Sequence, residues 1–162
     1  MEQNSVMSRH GFGAVVALLA SSAALLWGPP CRAALGEGSS SIAADQSELS
    51  GELSSIQTPH YQIQEIGAAS GMRVREYVDA RGMVFAVAWS GPAVPDLRRL
   101  LGAYYGEYTA ALRKMQPLGL HRSVRIAGPY VNVELSGHMR AYSGRAYLPA
   151  LIPPGSSLGE IR

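Results

Sequence analysis

The 162-residue chain carries 14 Lys and Arg residues against 12 Asp and Glu residues, which gives a formal net charge of +2. It contains neither a basic run nor an acidic tail, so we expect no nucleic-acid binding. Its length suits one domain with a hydrophobic core.

The N-terminal segment is predicted to be a signal peptide. Residues 11–27 (GFGAVVALLASSAALLW) are uncharged, and Cys31-Arg32-Ala33 offers signal peptidase the small side chains that it needs. We expect cleavage between Ala33 and Ala34, and hence a periplasmic or secreted protein without stable membrane insertion. An uncleaved anchor is disfavoured because a membrane-spanning helix needs roughly 20 apolar residues.

Cys31 is the only cysteine and leaves with this leader, residues 1–33. The mature chain is then cysteine-free, which excludes disulfides and thiolate metal sites. A lipoprotein is disfavoured because Pro29-Pro30 stands where a lipid-attachment motif needs a small residue in a flexible stretch. Translation from Met7 instead of Met1 leaves a more ordinary basic leader, so both starts stay open.

The mature chain is predicted to begin with a flexible segment, residues 34–40, before one α+β domain over residues 41–152. A short helix starts at Ser41, whose hydroxyl suits an N-cap. Its thin stripe consists of Ile42, Asp45, Leu49 and Leu53. Three strand-like runs follow, joined by short turns that favour an antiparallel meander. They are residues 61–66, 72–78 and 83–89.

The second and third runs differ in the side chains that they expose. In the second run Val74 and Val78 share one face, and the other face carries Arg73, Arg75 and Tyr77. The third run is apolar on both faces, which predicts the most buried strand.

A sharp change of composition ends the third run. Trp89 is predicted to lie at the edge of the core, Gly91 and Pro92 to turn the chain, and Pro95 and Asp96 to open a helix. Proline suits the first helical position because its missing N–H would have no partner there, and aspartate complements the positive end of the helix.

The longest predicted element is a helix over residues 95–115, whose apolar residues recur at steps of three and four and should pack on the sheet. About three strands follow, and residues 153–162 form a surface tail rich in Pro, Gly and Ser. The predicted fold is therefore α+β with an antiparallel sheet, in the order helix-βββ-long helix-βββ. Two tandem α-βββ units are the alternative.

Catalytic signatures are sparse in this sequence. Ser90 lacks the flanking glycines of the G-x-S-x-G nucleophile elbow, so we interpret it as a turn or capping hydroxyl. The histidines of the mature chain lack metal-ligand spacing; they are His60, His121 and His138. We predict no metal, no cofactor and no catalytic residue, and we leave open whether the protein is an enzyme, with the balance against it.

The most suggestive stretch is residues 137–147, GHMRAYSGRAY. If the chain is extended from Ser136 to Ser143, one face carries His138, Arg140 and Tyr142, and Arg145 continues the alternation. Arginine binds carboxylates and phosphates, and tyrosine stacks on flat ligands. Together with Arg73, Arg75 and Tyr77 these residues form the candidate ligand-binding set. An ordinary half-exposed strand is the alternative.

Four segments carry a resemblance to a known family: VREYV, VFAVAWSGP, PDL and GHMRAYSGRAYLP. Through them the chain from Ala34 onward resembles the uncharacterised proteobacterial proteins grouped as domain of unknown function 2844. The resemblance implies an exported Gram-negative protein of this size. It implies no activity, cofactor or catalytic residue.

We therefore expect a non-enzymatic periplasmic domain that binds an envelope protein or a small anionic ligand. The first alternative is a cell-envelope hydrolase, and the second is an accessory subunit of an export or surface-assembly system. A deep pocket holding two or more of Glu76, Glu134, His138 and Arg140 favours the hydrolase, whereas a flat face or an exposed groove favours binding. The oligomeric state is left open.

Overall fold

A computed structural model describes residues 35–115 and 123–162. The predicted signal peptide with its cleavage site at Ala33 and Ala34, Cys31 and His121 lie outside this part of the chain. Within it the helices are α1 (Ile42–Leu49), α2 (Leu97–Leu101) and α3 (Tyr105–Lys114). The strands are β1 (Glu52–Gln57), β2 (Gln62–Gly67), β3 (Arg73–Val78), β4 (Val84–Gly91), β5 (Ser123–Ala127), β6 (Asn132–His138) and β7 (Ala141–Tyr147).

The strands of the described ranges form one antiparallel sheet in the order β1-β2-β3-β4-β7-β6-β5. Two meanders, β1 to β4 and β5 to β7, meet where β4 pairs with β7. This confirms the α+β class and the order of helix, strands, helical stretch and strands. Each half of the chain is a helical segment followed by a meander, and both halves share one sheet.

One strand, β1, is absent from the sequence-based prediction. All six of its residues are exposed, and the run ELSSIQ lacks the regular alternation of a half-buried strand. Its pairing with β2 along six consecutive residues holds it in place. An edge strand of this kind gives little hydrophobic signal, because it pairs with a single strand and has no buried face.

Strand β4 lies at the centre of the sheet, as its composition predicts. Its residues from Val84 to Trp89 are all buried. Val87 and Trp89 pack on the side that the helices cover, whereas Ala86 and Ala88 face the opposite side. Trp89 lies over Gly144 of β7, where an added Cβ would come within 2.3 Å of the indole. Only glycine fits beneath this ring.

The helical stretch after β4 is confirmed, and it has a break that the apolar pattern does not reveal. Asp96 is the N-cap, because its carboxylate accepts hydrogen bonds from the main-chain N–H groups of Arg98 and Arg99, so Pro95 precedes the cap. Gly102 (φ 50°, ψ −120°) separates α2 from α3, since this backbone conformation is open mainly to glycine.

The two faces of the sheet have different covers. The helices pack on one face over a large apolar core that includes Val74, Val87, Leu101 and Val133. The opposite face has a smaller aromatic core around Tyr77 and Phe85, and the chain's last residues cover it with Ile161. The predicted surface tail is therefore anchored to the sheet. No helix in the described ranges is long and apolar enough to cross a membrane.

Candidate binding site on the polar face of the sheet

The sheet face opposite the helices carries a charged row across five strands. In register, its members are Glu65, Arg75, Ala88, Arg145 and Glu134. Arg75 Nε donates to Glu65 Oε2, and Arg145 donates to Glu134 Oε2 from Nε at 3.0 Å and from Nη2 at 2.8 Å. Two arginine–glutamate pairs thus flank the alanine of the central strand.

A second row lies one step along the same face and is made largely of hydroxyls. In register, it consists of Arg73, Ser90, Ser143, Ser136 and Ser123. All five side chains are exposed. The Oγ atoms of Ser136 and Ser143 lie 3.0 Å apart and share a hydrogen bond. This serine row, as we call Ser90, Ser143, Ser136 and Ser123, presents hydroxyls that serve as both donors and acceptors.

A cleft of about 250 Å³ opens between the serine row and residues 158–162, which we call the strap. Its lining includes Ser90, Ser136, Ser143 and Arg162. A smaller cleft of about 70 Å³ continues from Ser90 toward Arg73. The Arg73 side chain is 57% exposed and makes one loose ion pair, with Nε 3.3 Å from Glu65 Oε1. Arg162 also borders this smaller cleft, so Arg73 and Arg162 both stand at the Ser90 end of a hydroxyl-lined groove.

The opposite face holds a buried acidic pair. Asp45 on α1 is 3% exposed and Glu76 on β3 is 1% exposed. Arg99 on α2 donates to Asp45 Oδ1 at 2.7 Å and also lies 3.1 Å from Glu48. Asp45 Oδ2 and both oxygens of Glu76 have no donor within hydrogen-bonding distance. The guanidinium of Arg99 thus pairs with Asp45, and Glu76 lies beside Asp45 without a cation of its own.

Protonation of Glu76 follows from this arrangement. Burial first, and then the charge of Asp45 and a hydrogen bond with it, raise the pKa of Glu76 to about 8. Burial also raises the pKa of Asp45, and Arg99 opposes that rise. A protonated Glu76 can donate its hydroxyl hydrogen to Oδ2 of Asp45, which gives a partner to that oxygen and to one of the two Glu76 oxygens. The pair therefore holds a proton near neutral pH.

A cleft of about 240 Å³ lies beside this pair, between α1 and the start of α2. Asp45, Glu48, Asp96 and Arg99 supply its polar lining, and its apolar lining includes Leu49, Met72 and Leu100. Glu76 is not among the lining residues. Only one member of the acidic pair thus borders the cleft.

A family model described as "Protein of unknown function (DUF2844)" matches residues 31–161. The chain belongs to the DUF2844 family. No curated protein and no solved structure matches it. The family confirms the resemblance carried by the sequence segments and leaves the function to be argued from the site.

In this DUF2844 member, five of the predicted ligand-binding residues lie on the polar face, and one of them is His138 at the end of β6. Arg73, Arg75 and Tyr77 lie there on β3, and Arg145 lies there on β7. Arg75 and Arg145 are held by glutamates, and Tyr77 is fully buried beneath the strap. Arg73 is thus the member of the predicted set that faces the open groove.

The prediction that His138, Arg140 and Tyr142 share a face is wrong. Met139 and Arg140 form the two-residue connection between β6 and β7, with His138 paired to Ala141 and Arg140 at φ 61°. Alternation then places His138 on the polar face and Tyr142 on the helical face. The stretch GHMR contains none of the usual hairpin dipeptides, so the turn gives no clear sequence signal.

Sequence reasoning missed both the serine row and the acidic pair. The serines come from four strands, and only the register aligns them. Asp45 had a signal, because it stands at an apolar position of the α1 stripe, where an acid needs a buried partner. Within the described ranges no group of three or more His, Cys, Asp and Glu side chains is placed to hold a metal ion.

Proposed function

We propose that this protein is an exported, non-enzymatic binding domain of the Gram-negative periplasm, and that it holds an anionic ligand on the serine row. The observation that carries the proposal is the in-register row of exposed hydroxyls, with Arg73 and Arg162 beside its Ser90 end. An exported domain that begins at Ala34 fits the leader, and N-terminal sequencing of the mature protein tests that part. A different mature N-terminus would contradict it.

The chemistry of this groove suits carboxylates and phosphates. Serine hydroxyls donate to anionic oxygens, and a guanidinium binds them with two parallel N–H groups. Glu65 lies one row away and is paired with Arg75, whereas Glu134 borders the larger cleft and is paired there with Arg145. The groove is open to solvent, so we expect modest affinity, on the order of micromolar to millimolar, as for a small shallow ligand site.

Calorimetric titration with inorganic phosphate, citrate and a galacturonic-acid trimer tests this function. We expect at least one of them to bind, and Arg73→Ala together with Ser143→Ala to weaken that binding by about tenfold or more, as loss of a charge-assisted hydrogen bond does. Arg113→Ala, an exposed change on α3, is the matched control and should leave binding unchanged. The proposal is contradicted if the Arg73→Ala and Ser143→Ala double variant binds as well as the Arg113→Ala control. It is also contradicted if none of the probes shows saturable binding.

A cell-envelope hydrolase is the second candidate, and the acidic pair beside its cleft favours it. Paired carboxyls with separated pKa values are the usual acid and base of glycoside hydrolysis. Such catalysis needs both groups at the substrate, and Glu76 is fully buried behind Asp45. Release of reducing sugar from peptidoglycan or an envelope polysaccharide, abolished by Asp45→Asn in a folded protein, would favour this candidate over binding.

An accessory subunit of an export or surface-assembly system is the third candidate. The exposed edge strand β1 favours it, because its outer N–H and C=O groups are suited to pairing with another strand. Co-purification of a stable envelope partner that is lost on Ser54→Pro would support this role. A monomeric protein recovered without a partner would count against it.

A further inference from the structure

The strap, residues 158–162 (LGEIR), is held to the polar face mainly through its main chain. Arg145 Nη1 donates to the carbonyl oxygens of Leu158 at 2.6 Å and Ile161 at 3.1 Å. Arg75 Nη1 donates to the main-chain oxygen of Arg162 at 2.8 Å. Contacts of this kind recognise the main chain of an extended peptide and do not depend on its side chains.

Tyr77 adds a second set of main-chain contacts from the floor of the sheet. Its single hydroxyl hydrogen is within reach of the main-chain oxygens of Glu160 and Arg162, at 3.2 and 3.1 Å, and its oxygen accepts from the Arg162 N–H at 3.0 Å. The side chain of Tyr77 is itself fully buried. The guanidinium groups of Arg75 and Arg145 and the hydroxyl of Tyr77 therefore bind the main chain of the strap, as a neighbouring strand would in an ordinary sheet.

Two side chains of the strap give the groove its selectivity. Ile161 is 3% exposed and inserts into an apolar pocket. The walls of that pocket are Tyr61, Tyr77, Phe85, Ala86, Ala88 and Tyr147. The Glu160 carboxylate accepts a 2.6 Å hydrogen bond from the Tyr61 hydroxyl. An acidic residue directly before an aliphatic one is thus the pattern that the groove takes.

The groove is built independently of its occupant. Each arginine that holds the strap is oriented by a glutamate of the neighbouring strand: Arg75 by Glu65 and Arg145 by Glu134. Ala86 and Ala88 provide the depth of the pocket because small side chains stand there on the central strand. The strap follows Pro153-Pro154-Gly155, a turn closed by a hydrogen bond from the Ser156 N–H to the Pro153 oxygen. A short segment beyond such a turn can leave without unpairing any strand.

We propose that the groove beneath the strap is a peptide-binding site for an extended acidic–aliphatic segment of a partner protein, and that the strap is its intramolecular competitor. This site lies beneath the strap, whereas the proposed anion site lies beside it on the serine row. A failure to detect anion binding would therefore not contradict the proposed peptide site. A tethered segment acts at an effective concentration of order millimolar, so the partner must exceed that competition or be held nearby.

The test uses the full chain and a fluorescently labelled peptide of sequence LGEIR, followed by fluorescence anisotropy. Ile161→Asp removes the anchor of the strap and opens the groove. We expect the peptide to bind this variant at least about tenfold more tightly than the unaltered chain, because the intramolecular competitor is lost. The peptide LGEDR is the matched control and should not bind. Adding Arg145→Ala to Ile161→Asp should abolish binding of LGEIR.

A second measurement does not depend on the stability of a variant. Saturating LGEIR peptide added to the unaltered chain should speed hydrogen exchange at the Arg162 N–H, which donates to Tyr77 only while the strap is seated. A folded Ile161→Asp protein that does not bind LGEIR at millimolar concentration overturns the proposal. Unchanged exchange at Arg162 with bound peptide also overturns it. A dimer that Ile161→Asp converts to a monomer would assign the strap to a second copy and overturn intramolecular competition.

Discussion

The two faces of this sheet treat glutamate in opposite ways. On the polar face Glu65 and Glu134 are each paired with arginine and remain partly in contact with solvent. On the helical face Glu76 is 1% exposed, and the ionisable group that acts on it is another acid, Asp45. All three glutamates lie on strands of one sheet, and they differ in what covers them. Helices exclude water completely, whereas the strap leaves the charged row half open.

The difference predicts where the stability of the protein depends on pH. On the helical face the folded state keeps a proton on Glu76 that the unfolded chain releases above its ordinary pKa. The free energy of unfolding therefore falls as pH rises from about 4.5 to about 8.

Removing the guanidinium that pairs with Asp45 should have the largest effect. Arg99→Ala leaves Asp45 buried without its cation, and breaking a buried pair in this way typically costs about 3 kcal/mol or more. Urea unfolding at pH 7 measures the loss. Arg98→Ala is the matched control, since Arg98 is exposed and only stacks over Tyr105 at 5.3 Å, so its loss should cost under about 1 kcal/mol. Equal losses would contradict the role of Arg99.

Glu76→Gln should remove the pH dependence that Glu76 gives to the free energy of unfolding. The amide needs no proton to remain neutral and can donate to Asp45 Oδ2, so we expect a gain of a few kcal/mol at pH 8, in line with about 1.4 kcal/mol per pKa unit. The gain should shrink toward pH 5, because holding a proton on the folded Glu76 costs little near the ordinary pKa of the unfolded chain. Urea unfolding at pH 5, 6.5 and 8 measures this slope. Glu134→Gln, the control on the polar face, should leave the slope unchanged; a variant at Glu76 with the parental slope would refute the shared proton.

The smallest effect concerns the cover of the polar face. Tyr77→Phe removes the hydroxyl beneath the strap and should cost about 1 kcal/mol, the usual net value of a hydrogen bond. Hydrogen exchange at the main-chain amides of the strap should speed up by the factor that corresponds to this loss of free energy. Tyr130→Phe, on a residue that is 69% exposed, is the control and should change neither quantity. A strap unaffected by Tyr77→Phe would mean that Ile161 and the contacts of Arg75, Arg145 and Tyr61 hold it without this hydroxyl.

Composition and periodicity were sufficient for the architecture. The apolar run of β4 predicts the most buried strand, and alternation in β3 correctly separates Arg73, Arg75 and Tyr77 from Val74. These properties are local, because each depends on neighbouring residues of one segment. The helix break at Gly102 and the exposed strand β1 escaped prediction because tertiary contacts, and not hydrophobic period, decide them.

The candidate site was predictable only in part, for a different physical reason. The alignment of Ser90, Ser143 and Ser136 depends on the register of three strands, which no single segment specifies. The hairpin turn at Met139 and Arg140 moves Tyr142 to the other face, because a turn reverses the chain where extended alternation continues it. The acidic pair joins α1 to β3, so neither residue signals the other.

The pairing of β4 with β7 decides how this chain must assemble. Each meander forms between neighbours in sequence, whereas Ala86 on β4 meets Tyr147 on β7 across the whole helical stretch. Closing so long a loop costs chain entropy before any contact compensates, so we expect this seam to limit the folding rate, in the millisecond-to-second range of β-rich domains. Trp89 pairs with Gly144 at the seam and is buried there. Its fluorescence in stopped-flow refolding should therefore report the slowest step, and a faster change at Trp89 than in overall strand content would disprove this order.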